Sequence, residues 1–506
     1  MSKIYFWFRV FLVTALAVSL NVTSNVRADA NQILSDALPL LLDSELEEGN
    51  AIHLTDFNGD GNIDVVAGGN LNGQIRLYQN TGAIVVQIDL VTGGFVNPTA
   101  FESADMDGDG DIDIIALGDN AMEVVWWQNP GNAIGDDGLP LFLDGGNWIE
   151  RFADSRSWDP VAVGVADFDS DGDPDLVVVS NADNLISFLE NPGGVLAESE
   201  ENWQVGRIVE VFRRATDVVV GDIDQDGDID FAATARDSDA VSWFVNPGGL
   251  AARNLDAWSE VRITSSFNGA EALALADIDN DGDPDIAAVA SGEGELSWFE
   301  NPGQFNALNS SLWIENEISD SESVNGVNRV DVGDFDADGN VDIVIATRSS
   351  TLVSTWTNPG PATADQGDTW EECEVLPQLT TIPVANFDID VADFNGDMVP
   401  DLGFVQGGNR QDGLTADVVG IIVGTGIAPP LMVSAILQAD DGKTCQLKWN
   451  SIGGAIYEVQ ETSSIEGAWE TINLCPSQGT VTTFDVDMDP AKPRNFWRIK
   501  NVKANP

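Results

Sequence analysis

Asp105-Met106-Asp107-Gly108-Asp109-Gly110-Asp111-Ile112-Asp113 sets acidic side chains at positions 1, 3, 5 and 9, with glycine at position 6. That spacing brings carboxylate oxygens around one point, and the glycine permits the sharp turn between them. Hard cations that accept six to eight oxygens in flexible geometry suit such a cage, and calcium is the usual one. The stretch recurs seven times, starting at Asp56, Asp105, Asp167, Asp222, Asp277, Asp334 and Asp393, at intervals of 49 to 62 residues. Recurrence at this period is the signature of a repeat architecture with one cation site in each unit or nearly so.

The sequence around the loops repeats as well. An alternating apolar stretch precedes each loop, as in Pro160-Val-Ala-Val-Gly-Val-Ala166 or Asp217-Val-Val-Val-Gly221. An apolar run follows it, as in Leu176-Val-Val-Val-Ser180 or Ile343-Val-Ile-Ala-Thr347. A third strand ends in a turn signal: Val124-Val-Trp-Trp-Gln-Asn-Pro-Gly131, Val241-Ser-Trp-Phe-Val-Asn-Pro-Gly248 and Leu296-Ser-Trp-Phe-Glu-Asn-Pro-Gly303. Proline presets φ there and glycine supplies a positive φ. A fourth strand begins near Trp148, Trp203, Trp258, Trp313 and Trp370. Four short strands per unit describe a propeller blade, so the expected fold is all-β, a seven-bladed β-propeller. The last unit stops after its third strand, Val418-Val-Gly-Ile-Ile-Val423, whereas Ala37-Leu-Pro-Leu-Leu-Leu-Asp43 precedes the first loop where fourth strands sit elsewhere. The N-terminal strand is therefore expected to complete the seventh blade and remove an exposed edge. The tryptophans read as packing between blades in preference to a glycan-stacking platform.

An EF-hand is the first competitor for an Asp-rich loop, and it needs an acidic ligand at position 12. Position 12 here is Ala67, Ala116, Val178, Ala233, Ala288, Ile345 and Phe404, all apolar. The loops instead resemble the FG-GAP/VCBS repeat family, the propeller repeats also found in the integrin alpha-subunit head. Their motif, Asp-x-Asp/Asn-x-Asp-Gly-x-x-Asp between two strands, matches over about residues 35–425. The resemblance implies calcium at about six or seven sites, held by side chains at positions 1, 3, 5 and 9 with the carbonyl of position 7. The implied ligands of the second loop are Asp105, Asp107, Asp109 and Asp113 with Asp111. Those of the third are Asp167, Asp169, Asp171 and Asp175 with Asp173, and those of the fourth Asp222, Asp224, Asp226 and Asp230 with Asp228. The fifth has Asp277, Asp279, Asp281 and Asp285 with Asp283, and the sixth Asp334, Asp336, Asp338 and Asp342 with Asn340. The first loop departs, with Asp56, Asn58, Asp60 and Asp64 beside Asn62, and its missing charge predicts weaker binding. The last has Asp393, Asn395, Asp397 and Asp401, with Met398 in place of the glycine, where a β-carbon opposes the turn. The strict Phe-Gly and Gly-Ala-Pro signatures are absent, which places the repeats with the VCBS-like variants.

The chain has 506 residues, 43% hydrophobic, and a net charge of −62. That charge argues against nucleic acid or an anionic membrane surface as partner. Positions 1, 3, 5 and 9 of the seven loops hold 26 of its carboxylates. Lysine is absent between Lys3 and Lys443, and five lysines follow to Lys503, a shift that marks a domain boundary. The N-terminus reads as a secretory signal over residues 1–30. Lys3 and Arg9 lead into the apolar run Val10 to Leu20, and Ala28-Asp29-Ala30 is a small-x-small cleavage site. The run is too short to span a bilayer, so no transmembrane segment is expected after cleavage, and the protein is expected to be secreted or at the cell surface.

The propeller is then expected over residues 31–426. Ile427-Ala-Pro-Pro430 reads as a hinge to a small β-sandwich over 427–506, with strands near Cys445-Gln-Leu-Lys-Trp449, Ile456-Tyr-Glu-Val-Gln460, Trp469-Glu-Thr-Ile472 and Asn495-Phe-Trp-Arg-Ile-Lys500. Its Leu-Lys-Trp and Tyr-Glu-Val-Gln segments resemble fibronectin type III domains, which implies that Trp449 and Tyr457 are core residues. Cys445 and Cys475 share this unit, where a disulfide is permitted, and Cys373 is the odd one out.

Catalytic groups are scarce. His53 is the one histidine, and the propeller region has no lysine and one tyrosine, Tyr78. A lyase needs a general base of those types, and no serine or cysteine constellation can be assigned to His53 from the sequence. The expectation is a non-enzymatic calcium-binding adhesion or ligand-binding module for an extracellular protein or glycan. A non-binding envelope scaffold is the first alternative, and a polysaccharide-active enzyme ranks after it. The insertion at 132–146 makes the second repeat longest and is the one asymmetric candidate for a ligand site, so its deletion is expected to weaken binding and leave calcium stability unchanged.

Overall fold

The computed structural model describes residues 40–424, apart from short stretches between strands, and six strands between 433 and 503. The expected leader over 1–30, the start of the expected closing strand at 37–39 and the hinge at 427–430 lie outside the described residues. The chain divides into two compact units, one of them Gln32–Pro429.

That unit holds seven four-stranded antiparallel sheets. Blade 3 shows the pattern. Pro160–Ala166 leads into the acidic loop, Asp175–Ser180 leaves it, and Leu185–Glu190 and Gln204–Val209 follow. The second and third strands are buried along their whole length, which explains why they read as unbroken apolar runs and not as alternation. The fourth strand lies at the outer rim and is exposed at its start, as in Ile149–Asp154 of blade 2.

First strands pack against one another from blade 1 to blade 7, and Gly49–Thr55 of blade 1 packs against Asn386–Ala392 of blade 7, which closes the ring. Six apolar clusters each straddle one boundary between consecutive blades, from 1–2 to 6–7. Trp148, Trp203, Trp258, Trp313 and Trp370 are buried in these clusters. Each donates its indole N–H to a carbonyl six residues earlier, Phe142, Ala197, Ala252, Ala307 and Ala364, at 2.8–3.1 Å. They pack blades and pin the connections ahead of them, and they offer no free stacking face.

The boundary between blades 7 and 1 has none of these six clusters. There Leu40–Asp43 pairs antiparallel with Val418–Ile422, so the N-terminal strand is the fourth strand of blade 7. Asp43 accepts from Arg76 and, at 2.6 Å, from Tyr78 Oη in blade 1. Asp388 and Asp390 of blade 7 accept the Ile52 and Leu54 backbone N–H groups at 3.1 and 2.6 Å. The Leu54 side chain packs where Gly403 has none: a β-carbon there would meet Leu54 Cδ1 at 2.5 Å. Ring closure thus adds a paired strand and these polar contacts to the packing of Leu54 and Val405 across the boundary.

The C-terminal unit contains two three-stranded sheets. One orders Val433–Gln438, Thr444–Asn450 and Val481–Asp487, and the other Glu470–Pro476, Ile456–Thr462 and Phe496–Lys503. Four of these strands match the sequence expectation, and the first and fifth were not legible as strands. Trp449 and Tyr457 lie in the second and third strands in chain order.

Candidate metal centres

Each acidic loop joins the first two strands of its blade, and its hydrogen bonding explains the residue spacing. The position 1 carboxylate accepts backbone N–H groups from positions 5 and 6, as Asp105 does from Asp109 and Gly110 at 3.0 and 2.9 Å. The position 5 carboxylate accepts from position 7, as Asp109 does from Asp111 at 2.9 Å. Position 6 takes a positive φ in every copy, from 87° at Gly61 to 99° at Gly172 and Gly227, and 70° at Met398. Met398 pays for this with strain while its side chain points to solvent, 91% exposed, and its N–H still reaches Asp393 at 2.8 Å. Position 4 is left-handed too, although Ser170, Gln225, Asn280 and Ala337 stand there in four copies.

The position 9 aspartate is the centre of the unit. Asp113 is fully buried, and its oxygens accept the Met106 and Asn129 backbone N–H groups, both at 2.8 Å. Asn129 belongs to the Asn-Pro-Gly turn, so this carboxylate ties the loop to the end of the third strand. The Asn129 side chain then donates to the Phe57 carbonyl, inside the loop of blade 1, at 2.8 Å. The same reach to the preceding blade joins Asn191 to Met106, Asn246 to Phe168, Asn301 to Ile223, Asn358 to Ile278 and Asn80 to Phe394. In the seventh blade Gly424 N–H takes the turn's place on Asp401, at 2.7 Å, without a side chain to continue the belt. Sequence reasoning treated this asparagine as turn chemistry alone. Its recurrence sixteen residues after position 9 was the available signal.

Positions 1, 3 and 9 bring carboxylate oxygens within 4.8 Å of one another in five loops: Asp105, Asp107 and Asp113; Asp167, Asp169 and Asp175; Asp222, Asp224 and Asp230; Asp277, Asp279 and Asp285; Asp334, Asp336 and Asp342. The first and seventh loops, with Asn58 and Asn395 at position 3, do not form three-carboxylate groups among the described residues. Burial, opposed by backbone hydrogen bonds and reinforced by neighbouring carboxylates, pushes Asp64, Asp113, Asp175, Asp230 and Asp285 up to about 8. Asp342 and Asp401 rise to about 7 for the same reasons. Burial also raises Asp107, Asp224, Asp279 and Asp336 at position 3.

The residues fit a hard cation. Buried oxygens without any hydrogen-bond partner include Asp107 Oδ1, Asp224 Oδ1 and Asp277 Oδ1, and in the seventh loop Asn395 Oδ1 and Asp397 Oδ2. Such atoms are rare in folded proteins because each costs about 1–3 kcal/mol of lost solvation. A divalent ion among them supplies the missing partner and reverses the electrostatics that raise the carboxylates.

A second set of ionisable groups lines the axis of the ring, in a cavity of about 370 Å³ that includes His53, Glu102, Asp217, Arg329, Asp331, Asp388 and Asp390. His53 Nδ1 lies 3.1 Å from Asp390 Oδ2, and its Nε2 lies 3.0 Å from Ser103 Oγ. The structure thus brings a serine and an aspartate to the one histidine, a grouping that was not assignable from the sequence. Burial lowers the imidazole pKa, but the Asp390 hydrogen bond and charge, with Glu102 and Asp388, outweigh it and raise the value to about 9. A value that high favours the imidazolium at neutral pH, a form in which both ring nitrogens donate. Its stabilising effect is complete below about pH 6.5 and is lost as pH rises through about 9. Because it is the one histidine, its Cε1–H resonance is expected to titrate alone in an NMR spectrum, with a midpoint near 9. A midpoint near 6.5 would mean that the Asp390 pair is not formed in solution.

The FG-GAP-like repeat family matches this chain in five overlapping copies, at residues 56–116, 105–178, 167–233, 222–288 and 277–345. No curated protein matches it. Among solved structures, one similar chain belongs to a study of the recognition of non-reducing terminal N-acetylglucosamine by an Agrocybe aegerita lectin. The identity is 15% and the TM-score 0.41, over 66% of this chain and 81% of that one. Another belongs to a nidogen/laminin complex, at 6% identity and a TM-score of 0.36, over 57% of this chain and 87% of that one.

Proposed function

We propose, from the premise that this chain belongs to the FG-GAP-like repeat family, that it is a calcium-stabilised propeller acting outside the cytoplasm as a non-enzymatic binding module for a protein or glycan. The observation that carries the calcium reading is the convergence of three carboxylates, with buried unpartnered oxygens, in loop after loop. Ions held there fix the first two strands of a blade to its third strand through the position 9 aspartate. Through the asparagine belt they also fix the next blade's connection. The secretory signal read over residues 1–30 is consistent with a calcium-rich compartment, where extracellular modules bind the ion at roughly 0.1–1 mM.

The same connections, between third and fourth strands, display apolar side chains to solvent. Ile134, Leu139, Val195 and Leu250 are 66, 42, 78 and 65% exposed. The 132–146 insertion is anchored at Phe142, which is buried in the core shared by blades 1 and 2, and by Asn132 donating to the Asn58 carbonyl at 2.5 Å. Its tip is closed by the Ile134–Pro140 bridge. Deleting the whole insertion would therefore remove core as well as the tip, so a change confined to the tip is the cleaner probe of binding.

The test screens the protein against polysaccharides and cell-surface extracts in millimolar calcium and in chelator. Retention of one ligand class in calcium alone is expected. Ile134→Asn with Leu139→Asn is then expected to weaken retention at least tenfold and leave the calcium-dependent melt unchanged. Retention in neither condition favours the scaffold reading.

A further inference from the structure

The third loop differs from the others in what fills it. Arg253 stands in the connection after the Asn-Pro-Gly turn of blade 4 and reaches back into the loop of blade 3. Its Nε donates to Asp169 Oδ2, its Nη2 lies 2.5 Å from Asp171 Oδ2, and its Nη1 lies 3.1 Å from Glu190 Oε1. Asp169 and Asp171 are positions 3 and 5 of the loop. Asp169 and Glu190 have side chains 0 and 9% exposed, so the guanidinium meets carboxylates largely withdrawn from water. A planar fork that gives one nitrogen to each of three carboxylates is the geometry for which arginine is suited.

The contrast with neighbouring loops is specific. Asp107 and Asp224, at position 3 of loops 2 and 4, each keep a buried Oδ1 without a partner. Both oxygens of Asp169 are taken: Oδ1 accepts the Asp171 N–H at 3.1 Å, a bond that Asp279 and Asp336 also make to the fifth residues of their loops, and Oδ2 takes Arg253. Within the third loop Asp175 Oδ2 is the oxygen left unpartnered. The residue seven places after the turn asparagine is Glu198 in blade 3, Arg253 in blade 4, Leu308 in blade 5 and Asp365 in blade 6, so only one of these connections carries a cation there. It follows the same path to the preceding blade as the Asn246 side chain, which reaches the Phe168 carbonyl at 2.8 Å.

We propose that Arg253 is the resident cation of the third loop, a tethered guanidinium that takes the place of a divalent ion at the boundary between blades 3 and 4. The chain then holds one divalent ion fewer than its count of well-formed loops, and this boundary stays latched when calcium is low. The inference rests on the calcium reading of the other loops.

The test counts calcium bound per full-length chain by equilibrium dialysis at low millimolar free ion. Arg253→Gln is expected to raise the count by one, and adding Asp167→Asn to that variant to abolish the gain. Arg253→Leu keeps the aliphatic stem and covers failure of the glutamine variant to fold. Arg262→Gln, which removes an exposed arginine paired with Glu260 in its own blade, is expected to leave the count unchanged. Asp222→Asn, in the fourth loop, is expected to lower the wild-type count by one. An unchanged count in folded Arg253 variants, with the Asp222 loss observed, overturns the role of Arg253 alone. A wild-type chain that takes up no calcium overturns the calcium reading and this inference with it.

Discussion

Excess chelator is expected to lower the melting temperature of the propeller by about 10–20 °C relative to 10 mM calcium. Each site at a hundredfold excess of ion over its dissociation constant adds about 2.7 kcal/mol. Four such sites, the well-formed loops apart from the third, add roughly 11 kcal/mol, and a domain of this size shifts by about 1 °C per kcal/mol. The structural origin is the crowding of carboxylates in each nine-residue turn, with position 9 buried and held at about 7 or 8 in the absence of an ion. Scanning calorimetry measures the shift. An unchanged melt would sink the structural role of the ion.

Replacing Asp113 by alanine is expected to cost about 2–6 kcal/mol even before its part in holding an ion is counted. The change leaves the Met106 and Asn129 N–H groups without acceptors in a buried place, and each such group costs about 1–3 kcal/mol. It also releases Asn129, whose side chain ties blade 2 to the Phe57 carbonyl of blade 1. Urea unfolding in saturating calcium, with Asp144→Ala as a comparison on the exposed 132–146 insertion, checks the size of the effect. A loss under 1 kcal/mol would mean that the loop relaxes around the gap and that position 9 does not organise it.

Much of this was legible in the sequence because it repeats. The spacing of acidic residues, the apolar runs and the Asn-Pro-Gly turn each appear in several copies, and the incomplete seventh unit pointed to the N-terminal strand that pairs with Val418–Ile422. What does not repeat was harder to read. His53 meets Ser103 and Asp390 only because the ring returns the chain to its start, and nothing local at His53 marks that meeting. Left-handed backbone at Ser170, Gln225, Asn280 and Ala337 is imposed by the loop's hydrogen bonds and leaves no glycine to announce it. Arg253 shows itself only when the connections are aligned on their turn asparagine and the structure supplies the blade it reaches.

Raised carboxylate pKa values also set the pH at which the sites work. A group at about 8 in the ion-free fold and about 4 in the unfolded chain destabilises that fold progressively as pH rises from about 4 to 8, while bound calcium requires its ionised form. Calcium uptake near pH 7 should therefore release protons, and affinity should fall at pH 5. Isothermal titration of calcium into chelator-stripped protein, in two buffers of different ionisation enthalpy, reads the number of sites and the proton release together. The account predicts at least four sites per chain with net proton release at pH 7 and much weaker uptake at pH 5. The absence of calcium binding at pH 7 would contradict it.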